Sequence, residues 1–351
     1  MLTHRTVEVG GLRMHIAEQG TGPLVLLLHG WPETSHSWRH QLGPLADAGY
    51  HVVAPDQRGY GRTGSPADAG QYTLLHLVGD VVGLIHALGE REAIVVGHDW
   101  GAPVAWHTAL LRPDVVRGVA GISVPPSVRA PEPPLSLLRR QLGDGFYQIY
   151  FQRPGVAEAE FGADLRTTFR KLLGGTGGAP VVRDGEGFLD RFTDPEPLPS
   201  WLSDEDIDVA VESFGRSGFT GGLNWYRNID RNWELLAAWQ GKPITPPAFY
   251  LCGDGDITRA FTDPSRIPEA RPTCVASSTS RTPATGSRWN APMRSTPRCW
   301  SSSSSSECQR RGSMWIFGPG PPARSPASTA PTWSRPTVAA TSGRGSTAPL
   351  P

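Results

Sequence analysis

Ala93-Ile94-Val95-Val96-Gly97-His98-Asp99-Trp100-Gly101-Ala102-Pro103 is the stretch that decides the fold. Ala93 to Val96 are apolar and mostly β-branched, as in a parallel strand buried on both faces. Residues 103–111 carry a helical pattern. Between strand and helix, Gly97 and Gly101 flank a lone acid in a Gly-x-Asp-x-Gly elbow. A strand that feeds sharply into a helix forces the middle residue into a strained turn. Only small residues two positions before and after it let the backbones cross that closely. This geometry lifts the Asp99 carboxylate clear of the sheet, beside the free N–H groups of the helix start, which suit an anion. A carboxylate placed there can attack an sp³ carbon and form an alkyl ester. The plainer reading is a turn acid that caps the helix; both glycines and the preceding strand favour the nucleophile.

Upstream, residues 6–9 and 14–18 read as a short hairpin around Gly10-Gly11. Leu24-Val25-Leu26-Leu27-Leu28 is a continuous apolar strand that runs into His29-Gly30-Trp31-Pro32. His51-Val52-Val53-Ala54-Pro55 is another, ending in Asp56-Gln57-Arg58-Gly59-Tyr60-Gly61. There the turn-forming acid and glycines favour a loop that braces the elbow over a catalytic Asp56. Residues 74–88 repeat apolar side chains at helical spacing and stop before Gly89. Strand and helix in alternation imply a parallel sheet with right-handed crossovers. His76, His86 and His107 fall on helical stretches and read as ordinary surface or core residues.

Residues 115–124 supply the strand after the elbow helix, and Pro125-Pro126 marks a departure from the sheet. From there to Gly241 the pattern is helical, irregular and rich in aromatics. Two segments stand out: Gly145-Phe146-Tyr147-Gln148-Ile149-Tyr150-Phe151-Gln152-Arg153-Pro154-Gly155-Val156-Ala157-Glu158, and Gly222-Leu223-Asn224-Trp225-Tyr226-Arg227-Asn228. A phenol is a proton donor near neutral pH, where a carboxylate is ionised. Tyrosines on a lid above a nucleophile therefore suit the opening of a strained ether, whose oxygen needs a hydrogen bond as it becomes an alkoxide. The chain returns to the sheet through Pro243 to Pro247, and Ala248-Phe249-Tyr250-Leu251-Cys252 reads as a strand, followed by Gly253-Asp254-Gly255-Asp256.

Taken in order, these motifs resemble the soluble-type epoxide hydrolases of the α/β-hydrolase family, from the first residues to Thr273. The resemblance implies an α/β-hydrolase fold: a mostly parallel sheet with helices on both faces, split between residues 1–125 and 242–273, with a helical cap over 126–241. It implies that Asp99 is the nucleophile and that the cap tyrosines Tyr147 and Tyr226 hold the epoxide oxygen. Tyr150 is then a packing residue. The backbone N–H groups of Trp31 and Trp100 form the oxyanion hole, and His29 shapes its loop by hydrogen bonding. Asp256, second acid of its loop, orients the catalytic histidine, while Asp254 is a solvated turn acid. No metal or organic cofactor is implied; an epoxide and water are the substrates.

The family pattern then breaks. A histidine should follow Asp256 in a Gly-His-Trp setting to activate water against the ester. The chain has ten histidines and the last is His107. Residues 274–351 hold one acid (Glu307), nine arginines, no lysine and a six-serine run, 301–306. That tail carries +8 and the rest −8, so the overall charge of zero is a coincidence of addition. Such a tail reads as a basic interaction arm, or as disorder, but a third reading fits better. Shifted by one base, the codons of Thr282-Pro283-Ala284-Thr285-Gly286 can encode x-Pro-Gly-His-Trp, and those across Arg288-Trp289-Asn290-Ala291-Pro292 can yield Glu-Arg-Pro. A frameshift near residues 271–274, in gene or sequence record, accounts for both. On this reading 274–351 is disordered, the last strand and helix are missing, one sheet edge stays uncovered, and turnover is impaired because the ester lacks its base.

The overall charge points to neither nucleic acid nor membrane, and no run is long enough to span a bilayer. The start of the chain has no apolar targeting region. Cys252, Cys274, Cys299 and Cys308 show neither metal-ligand spacing nor a disulfide framework. A cytoplasmic protein is expected, and a homodimer is allowed. A haloalkane dehalogenase also uses an aspartate nucleophile but has no use for paired cap tyrosines. A non-catalytic ligand-binding module that has shed its histidine should have lost the nucleophile and tyrosines as well.

Overall fold

Five consecutive apolar residues, all buried, make β3 (Leu24–Leu28). Leu24, Leu26 and Leu28 belong to one hydrophobic cluster, and Val25 and Leu27 to a second on the opposite face. A strand whose two faces are both covered carries no polar alternation, which is why its sequence reads as an unbroken run. Each such side chain contributes about 1.5–3 kcal/mol by leaving water. The structure is a computed structural model that describes residues 1–177 and 181–253, then Asp256, Thr258, Thr262, Ile267 and the backbone of 275–280 and 298–299.

Around β3 stands a nine-stranded sheet, in the order β1-β2-β4-β3-β5-β6-β7-β8-β9. Strands β1 (Thr3–Val9) and β2 (Leu12–Gln19) form the expected antiparallel hairpin about Gly10-Gly11, both glycines at positive φ. From β4 (His51–Pro55) through β3, β5 (Ala93–His98), β6 (Val116–Ile122) and β7 (Ala248–Gly253) all pairings are parallel. On one face lies α1 (Arg39–Asp47), whose Leu42 joins Val25 and Leu27. On the other lie α2 (Leu74–Ala87) and α3 (Gly101–Leu111), whose Val78, Leu84 and Val104 join Leu26. Strand β5 sits at the centre, paired with β3 on one side and β6 on the other, and the elbow stands at its end.

Between β6 and β7 the regular structure is helical: α4 (Pro134–Leu142), α5 (Tyr147–Tyr150), α6 (Val156–Ala163), α7 (Leu165–Phe169), α8 (Asp204–Ser217), α9 (Thr220–Arg227) and α10 (Ile229–Leu235). Ser203 caps α8 with Asp206 in a capping box. Asp206 also receives His36 Nε2 at 2.8 Å and Arg39 Nη2 at 2.9 Å, which ties α8 to α1. Trp225 Nε1 donates to the Arg58 carbonyl at 3.1 Å, and the Leu74 N–H donates to Asn232 Oδ1 at 2.7 Å. Beside these bonds Gly221 lies so close to Gly59 that a Cβ on either would strike the other's backbone.

One expectation is corrected. The sheet does not stop at β7: the backbone of β8 (Val275–Ser280) pairs with β7 in parallel at six positions, from Ala248↔Val275 to Gly253↔Ser280. A short β9 (Arg298–Cys299) then pairs with β8 antiparallel. Ladder bonds are made by peptide groups that every residue except proline carries, and 275–280 contains no proline. A polar strand can therefore take a place that its side chains do not announce. The final helix, and the rest of the tail expected to be disordered, lie outside the described residues. Among the described residues no helix is long and apolar enough to cross a membrane.

Candidate active site

Asp99 follows β5 with φ at +49°, one of two non-glycine residues with positive φ among the described residues. Aspartate tolerates this left-handed region better than most side chains. The crossing expected of the elbow is present: a Cβ on Gly97 would overlap the Gly101 carbonyl, and a Cβ on Gly101 would overlap that of Leu28. The Asp99 N–H is anchored on the Ile122 carbonyl at 3.2 Å, and its own carbonyl accepts from the Ala102 N–H at 3.0 Å.

The two expected oxyanion donors reach the same carboxylate. The Trp31 N–H donates to Asp99 Oδ1 at 2.8 Å, and the Trp100 N–H donates to the carboxylate as well. Asp99 keeps some surface open while its carboxyl group lies deep in the protein. Burial pushes its pKa above the ordinary value; the His98 imidazole and the two backbone N–H groups pull the other way. A carboxylate stripped of water but still ionised is a stronger nucleophile than a hydrated one.

Above it, Tyr147 opens α5 and Tyr226 sits in the last turn of α9, their ring centroids 5.9 Å apart. Phe151 packs edge-on to both, at 5.6 Å and 5.1 Å. Trp100 meets Tyr226 at 5.2 Å and Trp31 meets it at 6.0 Å, both edge to face. Burial raises both phenols, and the nearby Asp99 charge raises them further, so both are neutral proton donors at ordinary pH. Asp99, Trp31, Trp100, Tyr147 and Tyr226 thus converge from four separate stretches of chain. Tyr150 is directed elsewhere and donates to Glu160 Oε2 at 2.8 Å.

Asp256 belongs to a separate network. Its Oδ1 accepts from the Thr258 N–H at 2.9 Å and from Thr258 Oγ1 at 2.8 Å, and Thr258 Oγ1 also reaches the Ser123 carbonyl at 3.0 Å. The acid is therefore fastened just past β7 to the residue that follows β6. Asp254 lies outside the described residues.

His29 is a brace, as its loop position suggests. Its Nδ1 faces the Gly30 carbonyl at 2.8 Å and its Nε2 accepts from the Gln57 N–H at 3.0 Å, an arrangement that requires the neutral ring protonated on Nδ1. Burial lowers its pKa, which favours that neutral ring. Asp56 braces the neighbouring loop through Ser35, the Arg62 N–H and His15.

Residues 23–178 match the family described as the alpha/beta hydrolase fold. Epoxide hydrolase A of Mycobacterium tuberculosis is 45% identical over 278 residues, covering 76% of this chain and 86% of that protein. Epoxide hydrolase 1 of Siraitia grosvenorii is 47% identical over 262 residues, covering 74% and 83%. The crystal structure of epoxide hydrolase A from Mycobacterium thermoresistibile superposes with a TM-score of 0.77 at 44% identity, covering 80% of this chain and 91% of that one. The chain belongs to the epoxide hydrolases of the α/β-hydrolase family.

In this epoxide hydrolase chain, side chains that sequence reasoning passed over complete the site. Glu33 Oε2 joins His98 Nδ1 at 3.1 Å and the Gly30 N–H at 3.3 Å, so one carboxylate links the two loops that present Trp31 and Trp100. Gln148 Nε2 donates to the Tyr147 oxygen at 2.9 Å. Glu33 stands three residues past Gly30 and Gln148 directly after Tyr147, but neither spacing names its partner.

Proposed function

We propose that this chain opens epoxides through an ester on Asp99. One Asp99 oxygen attacks an epoxide carbon, the ring C–O bond breaks, and the released oxygen takes a proton from Tyr147 or Tyr226. Trp31 and Trp100 hold the other carboxylate oxygen, ready for the oxyanion that forms when water attacks the ester. The diol then leaves and the carboxylate returns. Residues 126–241 act as the cap that carries the two tyrosines. The observation that carries this reading is the convergence of both tyrosine rings and both tryptophan N–H groups on one carboxylate. Family membership supports it: the relatives named above are called epoxide hydrolases.

The ester-cleaving half is impaired in this chain. Asp256 is the acid that would orient a histidine base, and the sequence has no histidine beyond His107. A one-base shift near residues 271–274 would allow a Gly-His-Trp reading, so sequencing the DNA there tests the origin of the loss. The function itself is tested by the intact mass of the protein after incubation with styrene oxide. A stable gain of one epoxide mass, absent in Asp99→Ala, supports attack and stalled hydrolysis together. Steady diol release without adduct would mean that another base serves. Neither adduct nor diol from folded protein would overturn the reading.

A further inference from the structure

We propose that Gln148 is a positioning residue for ring opening, acting through Tyr147. The inference rests on the epoxide-opening reading above and assigns one further side chain to it. A phenol oxygen has one proton to give and two lone pairs to receive. At Tyr147 one lone pair is taken by the Gln148 amide N–H, 2.9 Å away, so the phenol's own proton is directed away from Gln148. That N–H also stabilises the negative charge that the Tyr147 oxygen gains as the proton passes to the opening epoxide. It therefore opposes the upward push of burial on the Tyr147 phenol pKa. The phenolate left behind regains its proton from water.

Gln148 is itself held in place. Gln152 Nε2 donates to the Gln148 carbonyl at 2.8 Å and to the Tyr226 carbonyl at 3.0 Å. One amide thus joins α5 to α9 and sets the spacing of the two tyrosine rings. The chemistry also explains an amide rather than an acid at 148. An ionised carboxylate there would accept the Tyr147 proton and remove the donor from the reaction.

The test compares wild type, Gln148→Leu and Gln148→Glu by the rate of styrene oxide adduct formation between about pH 5 and about pH 8. Gln148→Leu keeps the bulk and loses the N–H; it should alkylate about tenfold more slowly throughout. Gln148→Glu, taken relative to wild type at each pH, should be slow when its carboxyl is ionised and recover as that group gains a proton to donate. A wild-type rate in Gln148→Leu, or a Gln148→Glu ratio that does not change with pH, would make Gln148 a packing residue and overturn the proposal. Calorimetry with benzamide, whose carbonyl accepts from the tyrosines without reacting, separates the two layers. Should wild type form neither adduct nor diol while benzamide binding still weakens about threefold in Gln148→Leu, the positioning role stands and the epoxide-opening reading fails. Benzamide binding indifferent to Gln148→Leu would overturn the positioning role by itself.

Discussion

The Trp31 N–H and Asp99 Oδ1 meet at 2.8 Å across 68 residues of sequence. They meet because β3 and β5 are adjacent parallel strands whose following loops emerge at the same sheet edge. Crevices at the carboxyl ends of parallel strands are where α/β sheets place their sites. The contact also depends on how the loop after β3 is held, and His29 holds it from beneath.

Replacing His29 by alanine should therefore cost more than its volume. It leaves the Gly30 carbonyl and the Gln57 N–H without their imidazole partner and opens a cavity in a fully buried place. A loss of about 2–4 kcal/mol is expected in urea unfolding, with slower adduct formation because Trp31 shifts. An unchanged midpoint would show that the loop holds itself.

Asp56 should confer acid-dependent stability. Burial pushes its pKa up, but the His15 and Ser35 interactions outweigh that and hold it at about 2, against 3.8 for a free aspartate. A depressed carboxyl stabilises the fold above the free value and loses that contribution as pH falls through the folded one. Wild type should exceed Asp56→Asn by an increment that is full near pH 5 and shrinks below pH 3.8, the pH-dependent part amounting to about 2 kcal/mol. Unfolding curves at several pH values would show the gap closing; a constant gap would refute the assignment.

The core was legible because β3 and β5 are buried on both faces and need no partner to be recognised. Asp99 was legible because the elbow is a local motif, with its two glycines and its acid in one short run. Other features depend on side chains that meet only in three dimensions: Glu33 with His98, Gln148 with Tyr147, and Asp206 with His36. Strand β1 begins at Thr3, earlier than the apolar pattern suggests, because its first four residues are exposed and offer no hydrophobic signal. Strand β8 was missed for a related reason: peptide groups, not side chains, make its ladder.

Tyr60 offers a stabilising substitution. Its hydroxyl is buried without a hydrogen-bond partner among the described residues, close to His29, Phe214 and Trp225. Burial, and then the Asp99 charge, push its phenol well above the ordinary value. Tyr60→Phe removes the unpaired oxygen and keeps the ring, so it should gain about 1 kcal/mol in urea unfolding. A loss of similar size would show that the hydroxyl is paired in solution.

Asp99 should be a stability cost, paid for reactivity. Its carboxyl is raised by burial despite the two backbone N–H groups on it, so the folded protein holds that proton more tightly than the unfolded chain does. Stability from this group is therefore full below the free value of 3.8 and lost as pH rises through the raised one. An asparagine in its place would be neutral at every pH, could still accept from the Trp31 N–H, and tolerates positive φ as aspartate does. Asp99→Asn should accordingly melt higher than wild type at neutral pH, with the difference shrinking toward pH 3.8, while adduct formation disappears. Thermal melts at the two pH values read this directly. A variant that melts lower at neutral pH would mean that the two N–H groups favour the full charge by more than burial opposes it, and Asp99 would then be held ionised by its site rather than in spite of it.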